Sequence, residues 1–260
     1  MPDPSFTEQD FETSQRNVYA SDGYRAWAAE AAALAFTRAR DGAGFAAVLD
    51  EVAVSRRDFA RAARDPAADR YGAARQVDSI THLDLGHAFF IERASRDLTR
   101  LLKGPLRYPA EPPYLAVRLT RETHHRTRDG ESLAATRLGR YLTAVEIPPY
   151  RFESGTLVLE HTAVGNIGPM IADMLDSLER LRDPRCPRPL AGRELARAMH
   201  GFYQAMPFVR GSAAIGRSFF AGLAPILLGH KLPAQPPDPD LFAMTALSVD
   251  EFVGDTGLQR

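Results

Sequence analysis

Lysine is almost missing from this chain: of its 32 basic residues only Lys103 and Lys231 are not arginine. Arginine presents a planar fork of donors suited to phosphate and carboxylate, but so broad a bias, beside abundant alanine, most simply reflects a GC-rich coding sequence. Cysteine is nearly as scarce. The lone Cys186 sits in Asp183-Pro184-Arg185-Cys186-Pro187, which excludes an intrachain disulfide framework and a cysteine metal set and makes a reducing, cytoplasmic setting the default. No run approaches the roughly 18 apolar residues of a membrane span, and no basic start precedes an apolar stretch, so neither a membrane segment nor a signal peptide is expected. Charge of one sign is also lacking. A net charge of -1 and a pI near 6.7 remove the global electrostatic reason for binding nucleic acid.

What is present is enough chain, 260 residues and 28.6 kDa, to bury a substantial core. Residues 1–19 are polar and aperiodic, which predicts a flexible tail, a targeting region or an arm ordered by a partner. Ser21 and Asp22 offer N-cap chemistry to an alanine-rich helix through about Arg40, and Ser55 offers it to a short helix before Asp65-Pro66. Ile80, Leu83, His87, Phe90, Ile91, Ala94, Leu98 and Leu101 recur at three- and four-residue spacing. They predict a core helix with His87 as a structural histidine on its stripe. Strand-like composition follows at Tyr114 to Thr120, Tyr141 to Ile147 and Thr156 to Thr162, with turn formers at Arg128-Asp129-Gly130 and Glu153-Ser154-Gly155. A small antiparallel sheet or hairpin is expected. Helical spacing returns at Ile167, Met170, Ile171, Met174, Leu178 and Leu181 and stops at Asp183-Pro184. The fold class is therefore mainly α with a small β part (α+β): one domain over 20–232, then a proline-rich extension over 233–260. Within that extension Ser248 to Phe252 can start a short helix.

The segment from Leu195 to Leu228 reads as two helices joined by a short turn. Leu195, Met199, Phe202 and Met206 form an apolar stripe on the first, and Ile215, Phe219, Leu223 and Ile226 form one on the second. Pro207 stops the first helix, Gly211 permits a positive φ, and Ser212 can cap the second. Small residues Gly211, Ser212, Ala213 and Ala214 at a helix N-terminus let a phosphate or carboxylate reach free N–H groups, with Arg210 and Arg217 adding charge.

The run Met206-Pro207-Phe208-Val209-Arg210-Gly211-Ser212-Ala213-Ala214-Ile215-Gly216-Arg217 resembles the Fic signature, His-Pro-Phe-x-Asp/Glu-Gly-Asn-Gly-Arg-x-x-Arg. Pro207, Phe208, Gly211 and Arg217 match in register. The resemblance is to the Fic/Doc/AvrB (fido) superfamily and covers about thirty residues by motif. It implies a fido-like helical bundle with a β-hairpin flap, for which Tyr141 to Thr162 is the candidate, and a transferase that takes a phosphate-bearing donor. Met206 stands at the family's catalytic histidine and Arg210 at its acidic metal position, while Ser212, Ala213 and Ala214 replace an asparagine, a glycine and the first phosphate-binding arginine. Neither a metal nor a cofactor is expected, and Arg210 would take over charge neutralisation through paired hydrogen bonds.

His200, one and a half turns before Met206, is the candidate substitute base, against a structural reading. Glu122, His124 and His125 are expected in a solvated loop; on a strand, adjacent histidines would point to opposite faces and chelate poorly. Glu160 and His161 close the third strand and are weighed as cleft or plain strand-end residues. No Gly-x-Ser-x-Gly elbow, P-loop, His-Glu-x-x-His or Rossmann glycine set occurs. Two functions remain open. One is an atypical fido-type transferase acting on a nucleotide, nucleotide sugar or other phosphorylated metabolite, with a protein or small-molecule acceptor presented at the flap. The other is an inactive fido-fold binding or interaction protein. The site residues on either reading are Arg210 and His200 for chemistry and Phe208, Gly211, Ser212, Ala213, Ala214 and Arg217 for the ligand.

Overall fold

The computed structural model describes residues 4–11, 23–82, 117–141, 143–147, 150–183, 185–232, 239–246 and 248–256. Helix α1 (Tyr24–Arg40) buries Tyr24, Trp27, Ala28, Ala31, Ala32, Ala35, Phe36 and Ala39, a three-and-four spacing whose small residues admit a close neighbour. It starts from Gly23 in the left-handed region; Ser21 and Asp22, expected to cap it, lie outside the described residues. Helix α2 (Phe45–Ala62) runs through the expected helix start at Ser55. The Ser55 hydroxyl instead donates to Val52 O at 2.8 Å and accepts the Trp27 indole N–H at 3.3 Å, tying α2 to α1.

Helices α3 (Val164–Arg182), α4 (Arg188–Ala205) and α5 (Ser212–Leu227) complete the bundle, and α5 lies at its centre. Phe219, Phe220 and Leu223 of α5 are fully enclosed. Each such side chain contributes about 1.5–3 kcal/mol by leaving water. Two short helices, α6 (Pro239–Thr245) and α7 (Val249–Thr256), pack on α4, and the Ser248 hydroxyl caps α7 by accepting the Glu251 N–H. The C-terminal extension is thus part of the same core, which includes Phe242, Phe252 and Val253. So is part of the expected tail. Residues 8–11 form a 3₁₀ turn that buries Phe11 completely, and Phe6 packs edge-on to Phe36. Two phenylalanines are sufficient apolar anchors to overcome the polarity of the surrounding residues.

The sheet is antiparallel in the order β1-β6-β3-β2, formed by β1 (Ile80–His82), β2 (Val117–Arg126), β3 (Ser132–Tyr141) and β6 (Leu157–Glu160). A separate ribbon pairs β4 (Val145–Ile147) with β5 (Tyr150–Phe152). This is the mainly-α α+β class expected, with turns at Arg128-Asp129-Gly130 and Glu153-Ser154-Gly155. Three local readings change. Ile80, expected to open a helix, begins strand β1 and pairs with Glu160, because the edge of β6 offers it a ladder; His87 and residues 83–101 lie outside the described residues. The stretch 122–125, expected as a loop, continues β2. The expected strand from Tyr141 to Ile147 is the end of β3 and the start of the ribbon. Among the described residues no helix is long and apolar enough to cross a membrane.

Candidate functional site

Helix α4 ends at Ala205, and Met206 follows in the left-handed region at φ 43°. Two carbonyls at this helix end are held by Arg75, which donates to Met206 O at 3.2 Å and Ala205 O at 3.1 Å and also to Thr162 O, just after β6, at 2.5 Å. A cation at a helix C-terminus is favourably placed against the dipole. Arg75 belongs to a strap, residues 70–75, that is stitched to the turn between α4 and α5. Arg75 N–H donates to Pro207 O at 2.8 Å, Val209 N–H to Ala73 O at 2.8 Å, Gly72 N–H to Arg210 O at 3.2 Å and Arg210 N–H to Arg70 O at 3.2 Å. The sheet engages α4 elsewhere, at Gln204 and His200.

Ser212 is not the cap of α5. The N-cap is Gly211 at φ 84°, and the Ser212 hydroxyl turns back to accept the Phe208 N–H at 3.0 Å and to donate to Phe208 O at 3.2 Å. Three turn donors are therefore taken, Phe208 by the Ser212 hydroxyl and Val209 and Arg210 by the strap. The N–H groups of Gly211, Ser212, Ala213 and Ala214 have no partner among the described residues, as the first four donors of a helix lack intrahelical ones. The first turn of α5 contains no acid. A Cβ built on Gly211 would stand 3.0 Å from Tyr71 Cδ1 and 3.5 Å from Arg56 Cγ, so strap and α2 close on this point.

Arg210 is exposed, makes no hydrogen bond or ion pair among the described residues, and holds its guanidinium 5.8 Å from the Tyr71 ring centre. Beneath Tyr71 lies Arg56, only 4% exposed, with its guanidinium 4.1 Å from the ring of Tyr71, 5.2 Å from Trp27 and 5.3 Å from Phe59. The Tyr71 hydroxyl donates to Asp65 Oδ2 at 2.9 Å. The Ala67 N–H, this hydroxyl and the charges of Arg210 and Arg56 hold the Asp65 carboxyl below its usual range. Arg56, Asp65 and Tyr71 were not site candidates on sequence grounds. A signal existed: Val48, Val52, Arg56 and Ala60 share one helical stripe, and a cation on a core stripe is out of place.

Arg217 does not join Arg210. Its Nη2 donates to Asp10 O at 3.3 Å and its guanidinium stands 5.7 Å from the Phe11 ring, so the docked N-terminal residues occupy it. His200 is fully enclosed, stacked on His125 at 5.9 Å and against Phe252 at 5.8 Å. Burial, then the neighbouring His125, push its pKa down to about 3 against an opposing contact with the Ala246 backbone. His125 faces inward and His124 outward, as strand alternation requires, and His125 Nε2 pairs with Asp173 Oδ2 at 2.8 Å. Burial opposes the Asp173 charge, but His125 and the Arg128 N–H hold its pKa low. Glu160 pairs with Arg137 at 3.5 Å, and His161 meets the Thr81 hydroxyl at 2.8 Å with its pKa pushed down to about 4 by burial and by Arg75. Among the described residues no three histidine, cysteine, aspartate or glutamate side chains gather as a metal set. No known protein family matches the chain, and no curated protein matches it either.

Proposed function

We propose that this protein binds the phosphate of a nucleotide, nucleotide sugar or other phosphorylated metabolite at the amino end of α5, as an atypical fido-type protein. The observation that supports this is the set of unpartnered N–H groups at Gly211 to Ala214 beside the unpaired guanidinium of Arg210. An anion there meets the positive end of the helix dipole and a fork that can grip two oxygens at once. Positive charge stands where the family holds a metal-binding acid, so Arg210 does the neutralising itself. Met206 has no group to accept a proton, and His200 is enclosed on the β2 and α7 side of α4. Any transfer therefore rests on positioning and electrostatic stabilisation of a departing phosphate. Among the described residues no open base stands beside Met206, which favours a second reading, in which the fold binds its ligand without turnover.

Calorimetric titration with nucleoside diphosphates and nucleotide sugars tests the binding. Arg210→Ala is expected to weaken it by roughly 1.5–3 kcal/mol, the worth of a hydrogen bond to a charged group, and unchanged affinity would place the ligand elsewhere. Mass spectrometry on the same mixtures separates the readings: consumption of a bound donor supports the transferase, and intact donor supports the binding protein.

A further inference from the structure

Arg56, only 4% exposed, makes no hydrogen bond or ion pair among the described residues. Its Nε is buried and unpartnered. A cation taken out of water is normally paired, and an unpaired one is a net loss for the fold. The rings of Trp27, Phe59 and Tyr71 return part of that loss through their negative faces, yet they fill few of the five donor positions of a guanidinium. An anion brought to this point would fill the donor positions that the rings leave open.

Its position indicates which ligand. Arg56 Cγ comes within 3.5 Å of a Cβ built on Gly211, the residue that opens α5, and Tyr71 lies within reach of both Arg56 and Arg210. The Asp65 oxygens are taken by the Tyr71 hydroxyl and the Ala67 N–H, so this acid neutralises neither guanidinium by direct pairing. We infer that Arg56 is a buried anion-binding residue of the α5 site. The inference rests on the phosphate reading of that site. It also narrows the ligand. Four helix N–H groups and two forks outnumber what the two oxygens of a carboxylate can accept, and they suit a terminal phosphate with three free oxygens.

The test uses the full chain with inorganic phosphate and, separately, acetate as probes, read by calorimetry and by thermal unfolding. Phosphate is expected to raise the melting temperature of the parent protein and acetate to leave it unchanged. Arg56→Met exchanges the unpaired cation for an apolar chain of similar length. It is expected to melt at or above the parent without ligand and to bind phosphate at least about tenfold more weakly. Arg56→Lys keeps the charge and loses the fork, and is expected to fold as the parent does and still lose several-fold in affinity. Parent-like phosphate affinity in either variant makes Arg56 structural and overturns the inference, while leaving the α5 reading to the Arg210→Ala result. Acetate binding as tight as phosphate overturns the ligand class. Phosphate failing to bind the parent at all removes the α5 reading itself.

Discussion

At the scale of single residues, Gln204 shows how a buried polar side chain is made tolerable. Its Oε1 accepts the Thr123 hydroxyl at 2.9 Å and the Thr136 N–H at 3.2 Å, its Nε2 donates to Ala243 O at 2.5 Å, and its own carbonyl accepts the Thr162 hydroxyl at 2.6 Å. One amide thereby joins β2, β3 and α6 to α4. Gln204→Leu keeps the volume but strands the Thr136 N–H and Ala243 O in an enclosed setting. It is expected to cost about 2–4 kcal/mol in urea unfolding, since each unsatisfied buried group costs roughly 1–3 kcal/mol. A parent-like midpoint would mean that water or relaxation replaces the amide. Little of this was legible beforehand, because a glutamine in a helical run announces neither its burial nor partners far away in sequence. The turn from Pro207 to Gly211 was legible, because a proline closes one helix and a glycine opens the next. Arg56 lay between these cases, visible only as a charge on an apolar stripe.

At the scale of elements, those governed by local periodicity were readable and those governed by distant hydrogen bonds were not. The stop of α3 before Pro184, the Ser248 cap of α7 and the turn at Arg128-Asp129-Gly130 all follow from nearby residues. The length of β2 does not: its polar end is drawn into the sheet by its ladder with β3 and by the inward pairing of His125 with Asp173. Least readable was the 70–75 strap, whose partners are the carbonyls and N–H groups of a turn far along the chain. Gly72 makes the strap possible. It sits at φ 66° and passes so close to α2 that a Cβ would fall 2.6 Å from Ala53 O. Gly72→Ala therefore incurs both backbone strain and a clash with backbone, together about 1–3 kcal/mol or more. The expected signature is local: faster amide hydrogen exchange at Val209 and Arg210, whose N–H groups the strap accepts, with the α4 interior exchanging as before. Uniform acceleration over the whole chain would show that the strap and the bundle unfold as one unit.

At the scale of the whole molecule, the fold holds two histidines neutral, His200 enclosed and His161 half-buried, and so acquires a built-in sensitivity to acid. His200 titrates near 3 and His161 near 4 in the folded chain, against about 6.5 for an unperturbed histidine. Below pH 6.5 the unfolded chain therefore binds protons that the folded chain refuses. Stability then rises with pH across this interval and is fully present above it. The carboxyls held low, Asp65 and Asp173 among them, act in the same direction but only below their ordinary value of 3.8, so the interval from about 6.5 down to 4 belongs to the histidines. His200 alone is expected to contribute a slope of about 1.4 kcal/mol per pH unit there, with His161 adding to it. The consequence is spatial as well as energetic. His200 is pressed between His125 and Phe252, with Arg197 contributing further positive charge, so a proton forced onto it repels β2 and undermines the seat of α7. Urea unfolding at pH 7, 6 and 5 should show a falling midpoint, and limited proteolysis should first release the segment after α6 as pH drops. His200→Phe keeps the aromatic packing and removes the titration, so its midpoint should fall with a visibly shallower slope. An identical slope in that variant would assign the acid sensitivity to other groups and leave His200 as packing alone.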